Sequence, residues 1–424
     1  MFGKLLQIFR VPDLRKKVFY VLLGLVAFRL LGTIPIPGID AARLTQFLNS
    51  NQIFGFLNIF SGGGLSRLSI VMLGVGPYIT ATIIMQLLTM IFPSLKQAYY
   101  EEGAAGKAKF NRYSRWLTVP LAALQGYGFL NLLKSQQVLG SLSALDLLVN
   151  VLIITTGSLV LMWIGELITE QKIGNGISLI IFAGIVDRIP IAVRTAIVSF
   201  DPANLPTYLA FIILSVLIIA GVVIINEGER KVPISYSRRI RGNKVYGGVA
   251  SYLPMKINQA GVIPIIFAIS IMLFPQFFGQ ILAIFSPGLS VKVQTVVNSF
   301  LSNQLIYSAL YFFLVVLFTY FYTAVTFDPK EIAKNLQQSG GFVPGIRPGE
   351  STGDFLGKLT KRITLFGAIF LGLIAVLPNL VQMLTGIQAL TIGGTALLIV
   401  VSVALETIKQ LDSELTLREY EGLQ

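Results

Sequence analysis

Gly103-Ala104-Ala105-Gly106-Lys107-Ala108 is the nearest approach in this chain to a phosphate-binding loop. Such a loop needs two glycines separated by four residues, then Lys and a Ser or Thr, so that backbone N–H groups surround the phosphates and the hydroxyl holds magnesium. Here the glycines stand too close together and alanine follows the lysine. There is no histidine and no cysteine in 424 residues. That removes the commonest general base and zinc ligand, a histidine-activated serine, and any thiolate metal site or disulfide framework. No cofactor, no metal and no enzymatic activity are expected. The side chains left to do chemistry are basic groups in two polar segments and scattered amides and hydroxyls on apolar runs. Both suit contact and passage rather than bond-making.

Composition says what must position them. Charged residues are 12% of the chain, about half the ~25% of soluble proteins. Hydrophobic residues reach 54% and the mean hydropathy is +0.75, too apolar to surface a soluble fold of this size. The chain is read as a polytopic membrane protein. Runs long enough to span, about 20 residues, fall at 18–37, 69–92, 113–133, 147–169, 177–195, 207–226, 257–278, 305–327, 363–384 and 389–408. The first follows Arg15, Lys16 and Lys17 but lacks a small-x-small cleavage site, so it is read as an uncleaved first helix.

The net charge of +13 is largely topogenic. With the N-terminus inside, and with charges near the ends of runs counted with the adjoining segment, 26 of the 33 Lys and Arg fall on the inner side and 6 on the outer, while Arg29 lies deeper inside the first run. This bias puts both termini in the cytoplasm. Five spans on each side of residue 200 divide the chain into 1–200 and 201–424, and an odd number per half makes any structural repeat an inverted one. Span interiors are almost free of the ionisable groups that coupled transporters use. Arg29 is the exception, read as snorkelling outwards or meeting a polar neighbour.

Four segments stand out. Residues 53–68, containing Phe54, Phe56, Leu57, Phe60 and the joint Gly62-Gly63-Gly64, are apolar but too short to span. They suit either a short external helix or a mobile stopper in a cavity. In the second run, Gly76 and Pro77 are expected to kink or loosen the helix, while Thr80 and Gln86 suit either helix–helix contact or an openable seam. In the loop 227–256, alternating Val232, Ile234 and Tyr236 lead to Arg238, Arg239, Arg241 and Lys244, a hairpin pattern with a basic tip. Seven Lys and Arg in one loop suit an acidic or RNA-containing partner. In the loop 328–362, Asp328, Pro329 and Glu331 signal a helix start, and glycines and prolines after Gly341 fix a turn presenting Arg347.

The stretches 74–88, 174–186 (Gly-Asn-Gly-Ile-Ser onward), 256–264 and 341–350 closely resemble the SecY family, channel subunits of the bacterial general secretory (Sec) translocon. The similarity runs in order through residues 10–410. It implies an all-α membrane protein of ten transmembrane helices, in two pseudo-symmetric inverted five-helix halves around a central pore. The activity implied is passage of unfolded secretory preproteins across the cytoplasmic membrane, with lateral release of transmembrane segments into lipid. Matching positions give a pore ring of Val75, Ile79, Ile181, Ile266 and Ile399, with valine at 75 where isoleucine is common. They also give a lateral gate of Thr80, Gln86, Gln125 and Asn258, and a plug in 53–68. Arg238, Arg239, Arg241, Lys244 and Arg347 are implied docking residues for the SecA motor ATPase and for ribosomal RNA. Other implied partners are the SecE and SecG membrane subunits, preprotein signal sequences and the lipid bilayer. The alternative from span counting alone is a solute transporter built on inverted repeats, which charge-poor spans and bulky basic loops disfavour.

Overall fold

The computed structural model describes residues 11–36, 64–65, 67–100, 102–135, 138–139, 143–198, 202, 205–236, 239–241, 244–246, 250–385 and 393–421. Phe54, Phe56, Leu57, Phe60, Gly62 and Gly63, expected in a plug, and Arg238, expected in docking, lie outside them. Among the described residues, helix covers the larger part of each of the ten apolar runs. In order the helices are α1 (Pro12–Leu31), α2 (Gly76–Ile91), α3 (Pro93–Tyr100), α4 (Gly103–Ser135), α5 (Ala144–Glu170), α6 (Gly176–Val186), α7 (Ile189–Val198) and α8 (Leu205–Glu227). After strands β1 (Glu229–Tyr236), β2 (Arg239–Arg241), β3 (Lys244–Tyr246) and β4 (Ala250–Lys256) come α9 (Ile263–Phe285), α10 (Pro287–Ser302), α11 (Gln304–Thr326) and α12 (Pro329–Gln338). Strand β5 (Gly341–Phe342), α13 (Glu350–Thr385) and α14 (Gly393–Glu421) complete the described chain. Among the described residues, four stretches, Ala144–Glu170, Tyr208–Glu227, Gln304–Gln338 and Glu350–Val381, are each long and apolar enough to cross a membrane unaided.

The chain forms two compact units. Unit one comprises Met1–Asn204, Ser270–Asn303 and Val403–Gln424, and unit two comprises Leu205–Ile269 and Gln304–Ser402. In unit one, α1 buries only Leu14, Val21 and Phe28, a stripe seven residues apart, while Phe19, Leu22, Leu23, Val26 and Leu30 stay exposed. A narrow packed stripe with an apolar outer face is the pattern of a helix solvated by lipid. The core of this unit joins Leu68 and Met72 to Phe129, Leu130 and Leu133 of α4 and Ile154 of α5.

Two sequence expectations change here. Gly76 and Pro77 do not kink a helix: they begin one, with Val75 as its N-cap residue. Proline is tolerated at a helix start because its missing N–H has no intrahelical partner there. The preceding residues 69–75 form turns rather than the first part of a span, with Gly74 left-handed at φ 58°. The fifth run is likewise broken, into α6 and α7 at Asp187 and Arg188.

The glycine pattern 103–108 also finds its reason. Gly103 is left-handed at φ 59°, and a Cβ on Gly106 would stand 1.8 Å from the carbonyl oxygen of Ala98. The glycine lets α4 cross α3 backbone to backbone. At this elbow Tyr99 packs on Phe110, ring centroids 4.7 Å apart, and burial pushes its hydroxyl pKa up.

Unit two carries the sheet. Strand β1 pairs antiparallel with β4 from Glu229↔Lys256 to Ser235↔Ala250, and β5 adds to its other edge. Beyond them β2 and β3 pair Arg241 with Lys244, as the alternating pattern and basic tip predict.

Candidate functional site

The five pore-ring positions are all buried aliphatic side chains. In unit one, Val75 caps α2, Ile79 lies one turn on with its N–H bonded to the Val75 carbonyl at 3.1 Å, and Ile181 sits midway along α6. In unit two, Ile266 occupies the first turn of α9 and Ile399 the N-terminal part of α14.

Local sequence explains the unit-one placement. Asn175 caps α6, its side-chain oxygen accepting from the Ser178 N–H at 3.2 Å. A Cβ on Gly176 would lie 1.9 Å from the Gly165 carbonyl oxygen, so α6 starts in backbone contact with α5. The Gly174-Asn175-Gly176 motif therefore sets where Ile181 projects.

The gate positions differ from one another. Thr80 returns its hydroxyl to the Gly76 carbonyl at 3.0 Å, which satisfies it within its own helix. Gln86 is buried, and its side-chain oxygen has no hydrogen-bond partner among the described residues. Gln125 is half-buried on α4. Asn258 is not on a helix: it lies in the turn before α9, where Nδ2 donates to Asn226 Oδ1 at 2.8 Å and to the Gly261 carbonyl at 3.2 Å. Asn226 in turn donates to Ser402 Oγ at 2.6 Å. Asn226 and Ser402 are absent from the sequence reading, whose only signal was an amide where an apolar run meets a basic loop.

The described parts of the two long polar loops, 227–256 and 328–362, pack together within unit two. Asp328 caps α12, accepting from the N–H groups of Lys330 and Glu331 at 2.9 and 3.3 Å. Val232 and Met255 of the hairpin, Val343 of the turn and Leu356 of α13 share one buried cluster. Its apolar contacts hold the turn against the sheet. Gly345 and Gly349 are left-handed, at φ 84° and 95°, and Thr352 donates to the Arg347 carbonyl at 2.9 Å. The Arg347 side chain is exposed on this rigid turn. Arg239, Arg241 and Lys244 fall on the paired strands β2 and β3 of the hairpin tip. No cluster of metal-ligating residues occurs among the described residues.

Apolar helices with lipid-suited faces, buried aliphatic positions on the pore-matching helices and a sheet-built platform define a helical membrane channel fold. A family model described as SecY matches residues 69–408. The chain belongs to the SecY family. A relative in Thermus thermophilus named protein translocase subunit SecY is 44% identical over 425 residues, covering 97% of this chain and 95% of the relative. Another of the same name in Corynebacterium glutamicum is 41% identical, covering 99% of each. Among solved structures, one described as "The structure of a protein conducting channel" matches with TM-score 0.67 at 21% identity, covering 94% of this chain and 92% of its own. Another, "Sec61 in the Canine ribosome-channel complex from the endoplasmic reticulum", matches at 0.64 with the same identity and coverage. These neighbours share the fold, and the bacterial relatives make this a bacterial membrane protein.

Proposed function

We propose that this chain is a protein-conducting channel, through which unfolded secretory preproteins cross the bacterial cytoplasmic membrane and from which transmembrane segments leave sideways into lipid. The observation that carries the reading is the near-full-length identity to relatives named protein translocase subunit SecY. Val75, Ile79, Ile181, Ile266 and Ile399 are the proposed lining. Aliphatic side chains pack around many client sequences without binding any, and an apolar constriction sheds water when empty. Thr80, Gln86, Gln125 and Asn258 are the proposed gate, and residues 53–68, with Gly64 at their described end, the proposed plug. A signal sequence leaving through the gate gains about 25 cal/mol for each Å² of apolar surface it buries.

The platform formed by loops 227–256 and 328–362 is the proposed docking site for SecA and for the ribosome, through Arg238, Arg239, Arg241, Lys244 and Arg347. SecE and SecG are the proposed membrane partners. The Lys and Arg bias supports cytoplasmic termini, and residues 1–200 and 201–424 are the proposed halves.

The absence of native cysteine makes the test direct. Ile181→Cys should form a disulfide with a single-cysteine preprotein arrested halfway in vesicles supplied with SecA and ATP. With arrest verified separately, lack of that cross-link removes the lining assignment.

A further inference from the structure

Pro190 breaks the fifth apolar run. It has no N–H to give the Val186 carbonyl, so a helix begun at Gly176 cannot continue through it. The helix α6 therefore stops at Val186, with Asp187 as its C-cap residue. On local grounds an acid is a poor choice there, because a helix C-terminus carries partial negative charge and disfavours a carboxylate. Nor is the side chain needed to end the helix. The Asp187 N–H already bonds the Ala183 carbonyl, and that of Arg188 the Ile185 carbonyl, both at 3.1 Å.

The reason for the carboxylate lies on α1. Arg29, in the last turn of that helix, forms an ion pair with Asp187 through Nη2 and Oδ2. The two groups stand at matching depth. Arg29 is eleven positions past the start of the first apolar run at Val18, and Asp187 is ten past the start of the fifth at Ile177. At ~1.5 Å per residue both lie about 15–17 Å in, near the middle of a ~30 Å apolar layer. Each side chain is less than a third accessible. A lone charge at that depth is strongly unfavourable, so each group gains from the other. An arginine that served only to orient the chain would need no carboxylate at the helix break.

We propose that Arg29 is a positioning residue for the pore lining: through Asp187 it holds the outer end of α6 and so sets where Ile181 projects. The inference rests on the reading of Ile181 as lining. The helix α6 is a rod of 11 residues. Its inner end is fixed, because Asn175 caps it and Gly176 lies against the Gly165 carbonyl of α5. Its outer end runs into α7, whose described side chains are all exposed and give it little to pack on. Leu179, Ile180 and Ile185 bury the body of the rod, but apolar contact is non-directional. A charge-assisted pair has a preferred geometry. Ile181 stands five residues from Gly176 and six from Asp187, so about half of any swing of the outer end reaches it. All these residues belong to unit one.

The test reads the initial rate of disulfide formation between Ile181→Cys and a single-cysteine preprotein arrested halfway, in vesicles with SecA, ATP and matched channel content. Val75→Cys, at the start of α2, is the reference position. If Ile181→Cys forms no cross-link in the otherwise native chain, the lining reading falls and this inference with it. Once that cross-link is seen, Asp187→Asn should slow it about fivefold, the shift that ~1 kcal/mol of lost pairing produces. The Val75→Cys rate should not change. Asp187→Glu, and the reversed pair Arg29→Asp with Asp187→Arg, should each restore most of the Ile181→Cys rate. Arg29→Met with Asp187→Leu removes both charges, so no lone charge burdens insertion, and it should show the same selective slowing. This doubly neutral chain decides the matter if Asp187→Asn fails to fold. An unchanged Ile181→Cys rate in it overturns the positioning role and leaves the lining reading standing. Equal slowing at Ile181→Cys and Val75→Cys is general damage and also overturns it. If neither Asp187→Glu nor the reversed pair restores the rate, pairing is not what holds α6, and the proposal falls.

Discussion

Asn258 donates to Asn226 at 2.8 Å across 32 residues of chain, and Asn226 donates to Ser402 at 2.6 Å across 176. Three polar side chains thereby tie the turn that launches α9 to the end of α8 and to α14, all within unit two. The position matched to the family's gate is thus a tether as well. Removing one partner of a buried amide costs about 1–3 kcal/mol, because the other is left desolvated and unpaired. Asn226→Leu should therefore lower the melting temperature of the purified protein. Ser402→Ala should add little in that background, since the bond is already gone. Full additivity of the two substitutions would mean that the hydrogen bonds do not act as one network.

Arg347 is exposed on a turn held by two left-handed glycines, the Thr352 hydroxyl and the cluster around Val343. A charge reversal there leaves the packing beneath it intact. Arg347→Glu should cut SecA-driven preprotein export severalfold while the amount of chain inserted in the membrane stays normal. Wild-type export from vesicles with matched channel content would rule out a docking role for this residue.

Gly176 starts α6 in backbone contact with Gly165 of α5, a spacing that no side chain permits. Gly176→Ala must push the helices apart. Forced overpacking of this kind costs about 1–3 kcal/mol, and here it also moves Ile181, five residues on. The expected outcome is a lower melting temperature together with weaker Ile181→Cys cross-linking to an arrested client. A loss of stability with unchanged cross-linking would separate the motif from the lining.

What could be read from the sequence follows from the range of each interaction. The Asp328 cap and the hairpin leading to Lys244 are local patterns, and the structure reproduces both. Pro77 was misplaced by one element because an apolar run does not mark where its helix begins, and residues 69–75 are as apolar as the helix they precede. Asp187, which pairs with Arg29, lies 158 positions away, and Ser402, which accepts from Asn226, lies 176 away. Residue type announced that these groups need partners, but only the fold selects them. The joining of loops 227–256 and 328–362 through Val232, Met255, Val343 and Leu356 was illegible for the same reason.

The C-terminal part of α14 gives a case where magnitudes choose between effects. Lys17 pairs with Glu414 at 2.8 Å and Arg418 with Asp13 at 3.2 Å, while Leu14 and Leu415 bury against each other beside Val11, Val18 and Leu411. The Arg418–Asp13 pair is well exposed, with side-chain accessibilities of 37% and 60%, so it falls among surface pairs worth about 0–1 kcal/mol. Lys17 and Glu414, at 24% and 17%, are less screened. Truncating a buried leucine costs about 2–5 kcal/mol, so the apolar contact should dominate the attachment of this segment to α1. The order of sensitivity should be Leu415→Ala first, Glu414→Gln second and Arg418→Gln last, read as the rate of limited proteolysis of the tail. Raising salt should speed cleavage of the wild type only slightly. If Arg418→Gln frees the tail as fast as Leu415→Ala does, the ion pairs hold it and the apolar cluster is incidental.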